Sequence, residues 1–179
     1  MDNIYLKEVS ENDIDLLKEY NYDCEKNNYS FWISERRFPD VIKNWKLNQT
    51  DLSKVHFYPF WLMKDNKVIG QTILKTNIEV DEMWKNIGGN ISYVIIPSNR
   101  KKGYGTKCLN LALQKCKELG LKDVLISCSI NNIASKKVIE NNYGILRDIV
   151  YNYSNDQEYR YDINIDESLK SFCYNNIRR

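Results

Sequence analysis

Apolar and polar residues alternate through Ile4–Val9, the period of a strand with one buried face. Ser10-Glu11-Asn12-Asp13 follows and reads as a capping box, opening a helix whose apolar positions are Leu16, Leu17 and Tyr20. Across residues 27–47 the pattern is weaker, although Phe38-Pro39 can start a helix with Val41, Ile42 and Trp45 on one face. Phe60–Met63 and Lys67–Lys75, joined across Lys64-Asp65-Asn66, predict a β-hairpin, and Glu79–Gly89 reads as a loop.

The middle of the chain is more regular. Asn90–Ile96 is a strand stopped by Pro97. Gly103–Leu119 places Cys108, Leu109, Ala112, Leu113, Cys116 and Leu119 on one helix face, and Gly120 suits the C-terminal end. Val124–Cys128 is a short apolar strand. A helix from Ile133 to about Asn141 follows, with Asn132 as its N-cap. Ile145–Tyr153 and Glu158–Ile165 form a closing hairpin around Ser154-Asn155-Asp156. The predicted order β-α-(α)-β-β-β-α-β-α-β-β implies a mixed sheet with helices on its faces.

The 179 residues suffice for one filled α/β domain, and neither a linker nor a repeat divides residues 1–179. A net charge of +2 argues against nucleic acid as a partner, so any anion site must be local. The start of the chain lacks the apolar stretch of a signal peptide, and no run is long enough to span a bilayer, so a cytoplasmic protein is expected. Five cysteines without CxxC spacing read as reduced thiols. With His56 as the single histidine, neither a His-based metal site nor a Ser-His-Asp triad is expected.

Chemistry concentrates at Arg100-Lys101-Lys102-Gly103-Tyr104-Gly105-Thr106, between the Pro97-terminated strand and the long helix. A helix start presents unpaired amides and a partial positive charge, which suits a phosphate. Gly103 and Gly105 would let a diphosphate approach the main chain, and three cations add charge. The alternative is a basic, solvated turn before an ordinary helix. Rossmann and P-loop patterns both fail here: a third glycine is missing for the first, the Gly-Lys-[Ser/Thr] triplet for the second.

Arg100-Lys101-Lys102-Gly103-Tyr104-Gly105 resembles the [Gln/Arg]-x-x-Gly-x-[Gly/Ala] signature of the GNAT superfamily of N-acetyltransferases. Asn132-Ile133-Ala134-Ser135, followed by Val138–Gly144, resembles that superfamily's Asn-x-x-Ser helix and glycine turn, as in a group of bacterial predicted acetyltransferases. The likeness is strongest over residues 88–149. It implies an α/β (α+β) fold with a mixed, mostly antiparallel seven-stranded sheet, splayed between strands 4 and 5, and helices on both faces. It also implies acetyl-CoA as acyl donor, no metal, and direct transfer to a primary amine of a small molecule, peptide or protein. Its diphosphate would rest on the amides of Lys102–Thr106, with Arg100, Lys101, Asn132 and Ser135 around the cofactor. A strand irregularity near Ile95 would leave a main-chain amide for the thioester carbonyl. A homodimer is left open.

The chain departs from its relatives at the proton-transfer positions. Ile139 stands where many have a tyrosine that protonates the leaving thiol, and about Ser127 where some carry a glutamate. The fourth strand offers Asn90 and Ser92 instead of an acid, so base and acid stay unassigned. Glu79, Asp81 and Glu82 could deprotonate an amine or simply be solvated; Tyr143 could face the sulfur or pack at the helix end. Cys128 reads as a buried strand residue, not a nucleophile. An acetyl-CoA-binding sensor without catalysis is the alternative function.

Overall fold

The structure is a computed structural model that describes residues 3–30 and 33–177, with side chains described to residue 172; the Cys173 side chain lies outside the described residues. The chain runs β1 (Ile4–Glu8), α1 (Ile14–Lys26), α2 (Phe38–Asn48), β2 (His56–Lys64), β3 (Lys67–Thr76), β4 (Ile91–Ile95), α3 (Tyr104–Glu118), β5 (Asp123–Ser129), α4 (Ile133–Glu140), β6 (Ile145–Tyr151), β7 (Gln157–Asn164) and α5 (Ile165–Ile177). The seven strands form two sheets, ordered β1-β2-β3-β4 and β5-β7-β6. Each ladder among the described residues is antiparallel, and none joins β4 to β5. The expected splay is there, and the mixed character expected of the sheet is reduced to the β4–α3–β5 crossover.

Alternation sets which side each β4 residue faces. Ile91 packs with Leu109, Leu113 and Ile126 beneath α3, and Ile95 with Cys108. Val94 and Ile96 pack instead with Leu17, Tyr20, Phe38 and Ile42 of α1 and α2. The first sheet is therefore covered by α1 and α2 on one face and by α3 on the other. Because β-strand side chains alternate, Ser92 belongs to the α1/α2 face, where it is exposed.

Two predicted elements need correction, and one helix was not predicted. The capping box does not open α1 at Ser10: the helix starts at Ile14. The Asp13 carboxylate accepts the Ser10 N–H at 2.9 Å, as a box would, but it also takes the Lys7 ammonium at 2.6 Å and the Trp61 indole N–H at 3.1 Å. These tertiary partners hold Asp13 outside the helix. Strand β2 begins at His56, four residues before the expected start, and contains Pro59. Val9 N–H donates to Pro59 O at 3.0 Å just past the end of β1, so the missing proline N–H interrupts no ladder bond there. Helix α5 was not expected, although Asn164 and Glu167 are spaced as a cap and its third residue; Glu167 N–H donates to Asn164 Oδ1 at 3.1 Å.

Candidate functional site

The wedge between the sheets is closed at one end by Asn90. Its main-chain N–H donates to Leu125 O at 2.7 Å, and its side-chain Oδ1 accepts the Leu125 N–H at 2.8 Å. Its Nδ2 donates to Lys75 O at 3.0 Å, standing in for the main-chain amide that has turned to β5. From this pin the strands diverge towards Ile95 and Ser129. In the β3–β4 ladder Asn90 O accepts Lys75 N–H and Ile96 N–H donates to Ile69 O, so even-numbered residues bond to β3. Tyr93 and Ile95 then turn their main-chain groups away from β3, into the wedge.

The register of Gly70–Leu74 against Ile91–Ile95 is continuous. The expected irregularity at Ile95 is absent from this ladder; regular alternation alone directs its amide outward. Ile95 O is taken by Arg100 Nε at 3.0 Å.

The loop after β4 separates the roles expected of its residues. Arg100 folds back, its guanidinium 4.1 Å from the centre of the Tyr29 ring, so it braces the loop against the chain after α1. Lys102 Nζ donates to Ser98 O at 2.9 Å, and Tyr104 OH accepts Lys64 Nζ at 2.8 Å. Lys101 is exposed with φ of 60°. Gly103 is the N-cap of α3 with φ of 80°, and a Cβ there would meet nothing within 4 Å. The first helix bond runs from Lys107 N–H to Gly103 O at 3.2 Å. No side chain caps α3, so the amides of Tyr104, Gly105 and Thr106 project from an open, left-handed glycine.

Gly105 has a different reason to be glycine. A Cβ would stand 3.0 Å from Val138 Cγ2, so its bareness lets α3 pack against α4. The first turn of α3 is tied to α4 a second time by buried Asn142, whose Nδ2 donates to Thr106 O at 3.2 Å and to Val138 O at 2.9 Å.

Opposite the loop, Asn132 caps α4, its Oδ1 accepting Ser135 N–H at 3.0 Å. The Ser135 hydroxyl lies 2.8 Å from Tyr93 OH, a hydrogen bond that crosses the wedge from α4 to β4. Burial pushes the Tyr93 phenol up, so it keeps its proton through the physiological range. Ile139, four residues after Ser135, is fully buried in the core. Tyr143 is partly exposed at the end of α4 with φ of 62°.

The sequence profile of the acetyltransferase (GNAT) domain family matches residues 3–142. The chain belongs to this family. No curated protein sequence matches it significantly. Among solved structures it resembles an acetyltransferase from Salmonella typhimurium that modifies the N-terminal serine of ribosomal protein L7/L12, at TM-score 0.67 and 14% identity, covering 90% of this chain and 94% of that one. The spermidine/spermine N-acetyltransferase SpeG of Vibrio cholerae gives TM-score 0.65 at 17% identity, over 94% and 99%. Mycobacterium smegmatis RimJ, solved with CoA-disulfide, gives TM-score 0.69 at 14% identity, over 92% and 83%. This GNAT chain is accordingly an acyltransferase, with the wedge between β4 and β5 as its candidate site.

The acidic residues before β4 are occupied locally. Asp81 Oδ1 accepts Met83 and Trp84 N–H at 2.9 and 3.2 Å, Glu82 Oε2 accepts Asn86 Nδ2 at 2.6 Å, and Glu79 pairs with Lys85 at 3.6 Å. The segment is not a plain loop: it is wound into short helical turns, Ile78–Val80 and Trp84–Gly88. Tyr93 and Asn142 were missed by sequence reasoning. Only Tyr93 had a signal, as an aromatic hydroxyl on the strand that borders the splay. Among the described residues, no group of three His, Cys, Asp or Glu could hold a metal ion. No helix among them is long and apolar enough to cross a membrane.

Proposed function

We propose that the chain is an acetyl-CoA-dependent N-acetyltransferase acting on a primary amine by direct transfer, working as one domain in the cytoplasm. One observation carries this reading. Uncapped amides of Tyr104–Thr106 and an open Gly103 stand beside a wedge into which Ile95 turns its main chain. The amides suit a diphosphate, and the wedge suits a linear arm. The Ile95 N–H is a fixed donor for the oxyanion that forms on the thioester carbonyl. Lys101 and Lys102 supply charge at the rim, whereas Arg100 and Asn132 act through the backbone they hold. The names of the structural neighbours offer two acceptor classes, a protein N-terminus and a polyamine. A homodimer would be compatible with either.

Buried Ile139, where many relatives carry a tyrosine, supports a second reading: an acetyl-CoA-binding sensor without turnover. One pair of measurements separates the two. Calorimetry with acetyl-CoA tests binding, and thiol release with spermidine and with a peptide bearing a free α-amine tests transfer. Binding with sustained thiol release supports the enzyme; binding without it supports the sensor. No binding overturns both.

A further inference from the structure

Lys75 lies on β3, 1% exposed. Its ammonium nitrogen has one hydrogen-bond partner among the described residues, Ser92 Oγ at 3.2 Å, and lies 4.6 Å from the centre of the Trp84 ring. No carboxylate among the described residues comes within ion-pair distance of it. Burying a cation without a counter-ion is costly, and a structural lysine would ordinarily reach water or an acid. The groups facing it are the Trp84 indole from the turn before β4 and Ser92 from β4; the Cys116 thiol, in the core beneath α3 on the other face of the sheet, acts on it only through space. Burial lowers the lysine to about 8, so near neutrality it exchanges a proton readily.

Ser92 makes this buried base accessible. It is exposed, on the face of β4 away from α3, while the free amides of the α3 start mark the other end of the site. It precedes Ile95 by three residues on the same strand, about 10 Å along it. That is a span for an acceptor amine, with or without one water, between hydroxyl and thioester. The acids before β4 are tied up locally, and Asp148 and Asp162 in the second sheet are held by Arg160 and Arg147.

We infer that Ser92 and Lys75 form the proton-accepting relay for the incoming amine, Ser92 as the catalytic residue that touches it and Lys75 as the terminal acceptor behind it. This rests on the acetyl-transfer reading. The substrate enters as R–NH3+; one proton passes to Ser92 Oγ as the Ser92 proton passes to neutral Lys75. The freed nitrogen lone pair forms the C–N bond, the C–S bond breaks, and the second nitrogen proton ends on the CoA sulfur. Lys75 then releases its proton to solvent through Ser92, so one H+ appears per turnover.

The test combines a direct titration with rate profiles. Lysine labelled with 13C at Cε, assigned through Lys75→Met, reports the ionisation of Lys75 in the protein alone. The expected midpoint is near 8; a Lys75 still fully cationic at pH 10 overturns the relay and leaves the acetyl-transfer reading intact. With spermidine as acceptor, kcat/KM should rise to a plateau with a midpoint near 8. In Lys75→Met this limb should move to the ionisation of the free amine, about 10, and the rate at pH 7.5 should fall about 100-fold. Ser92→Ala, an exposed and mild change, should show the same altered profile with at least a 10-fold loss, and acetyl-CoA affinity unchanged in calorimetry. Profiles that superimpose on the parent's overturn the proposal. Failure to bind acetyl-CoA at all in the parent protein overturns the underlying reading, and the relay with it.

Discussion

Asn90 and Leu125 are joined by two hydrogen bonds, one through the Asn90 main chain and one through its side chain, and this pair is the hinge from which the two sheets open. The asparagine does what a continuous ladder would do at one position only, and then releases the strands. Asn90→Leu keeps the volume and removes the amide, leaving Leu125 N–H and Lys75 O buried without partners. Unfolding in urea should show a loss of about 2–4 kcal/mol. A loss below about 0.5 kcal/mol would mean that the sheets are held at this end by packing alone.

The diphosphate site is best tested at Gly103. A side chain at Gly105 collides with Val138, so a loss of binding there would also report disturbed helix packing. At Gly103 a Cβ meets nothing, and Asn and Asp tolerate its left-handed backbone better than other residues do. Gly103→Asp should weaken acetyl-CoA binding at least 10-fold, while Gly103→Asn stays within about 3-fold, because only the former brings a negative charge to the free amides. Equal affinities for the two variants would remove the diphosphate from this loop.

Arg100→Ala should behave differently from a loss of phosphate charge. The guanidinium is spent on Ile95 O and the Tyr29 ring, so its removal should lower the melting temperature by several degrees. Acetyl-CoA affinity should change less than 5-fold. A large affinity loss at unchanged stability would show that Arg100 swings out to the ligand.

Much of this was legible in the sequence because local chemistry and tertiary need coincide. Helix α3 has an apolar face, a glycine start and a glycine end, and its span was misjudged by one residue at each terminus. The splay could not be read from periodicity, since Ile91–Ile95 and Asp123–Ser129 look like neighbouring strands; it followed from the family resemblance. Site residues were legible as a set but not by role. Arg100 looks like a phosphate ligand until Tyr29, 71 positions away, is seen beneath it. Lys75 is only the last residue of the expected Lys67–Lys75 strand until Trp84 is seen against it. Such roles depend on tertiary partners, which no local pattern records.

Four cysteines, Cys24, Cys108, Cys116 and Cys128, are free and buried. Burial pushes the Cys108 and Cys116 thiols up to about 12, away from the reactive thiolate. In the native protein at pH 8, at most one thiol per chain should react promptly with an aromatic disulfide reagent, rising to five in denaturant. Prompt reaction of two or more would place a cysteine on an open path to solvent.

Lys75 gives a test that needs no substrate. Its pKa is about 8 in the folded protein against 10.5 ordinarily, with burial as the first cause. Between those values the unfolded chain holds a proton that the folded chain has lost, so the unfolded state binds more protons. Stability must then rise with pH across that window, and this lysine must weigh on the fold at all lower pH. The gap corresponds to on the order of 3 kcal/mol at full burial. Lys75→Met, which keeps the length and removes the charge, should therefore be more stable than the parent at pH 7 by an amount of that order. The advantage should shrink steadily from about pH 8 to 10.5, above which the parent's lysine is neutral in both states. Urea midpoints at pH 7 and pH 10 measure the difference, with other titrating groups cancelling between the two proteins. A stabilised variant that is also slow in acetyl transfer is the pattern of a residue kept for function at the expense of the fold. Parallel stability curves for the two proteins would instead show that Lys75 keeps its ordinary ionisation, and the buried base would be lost with it.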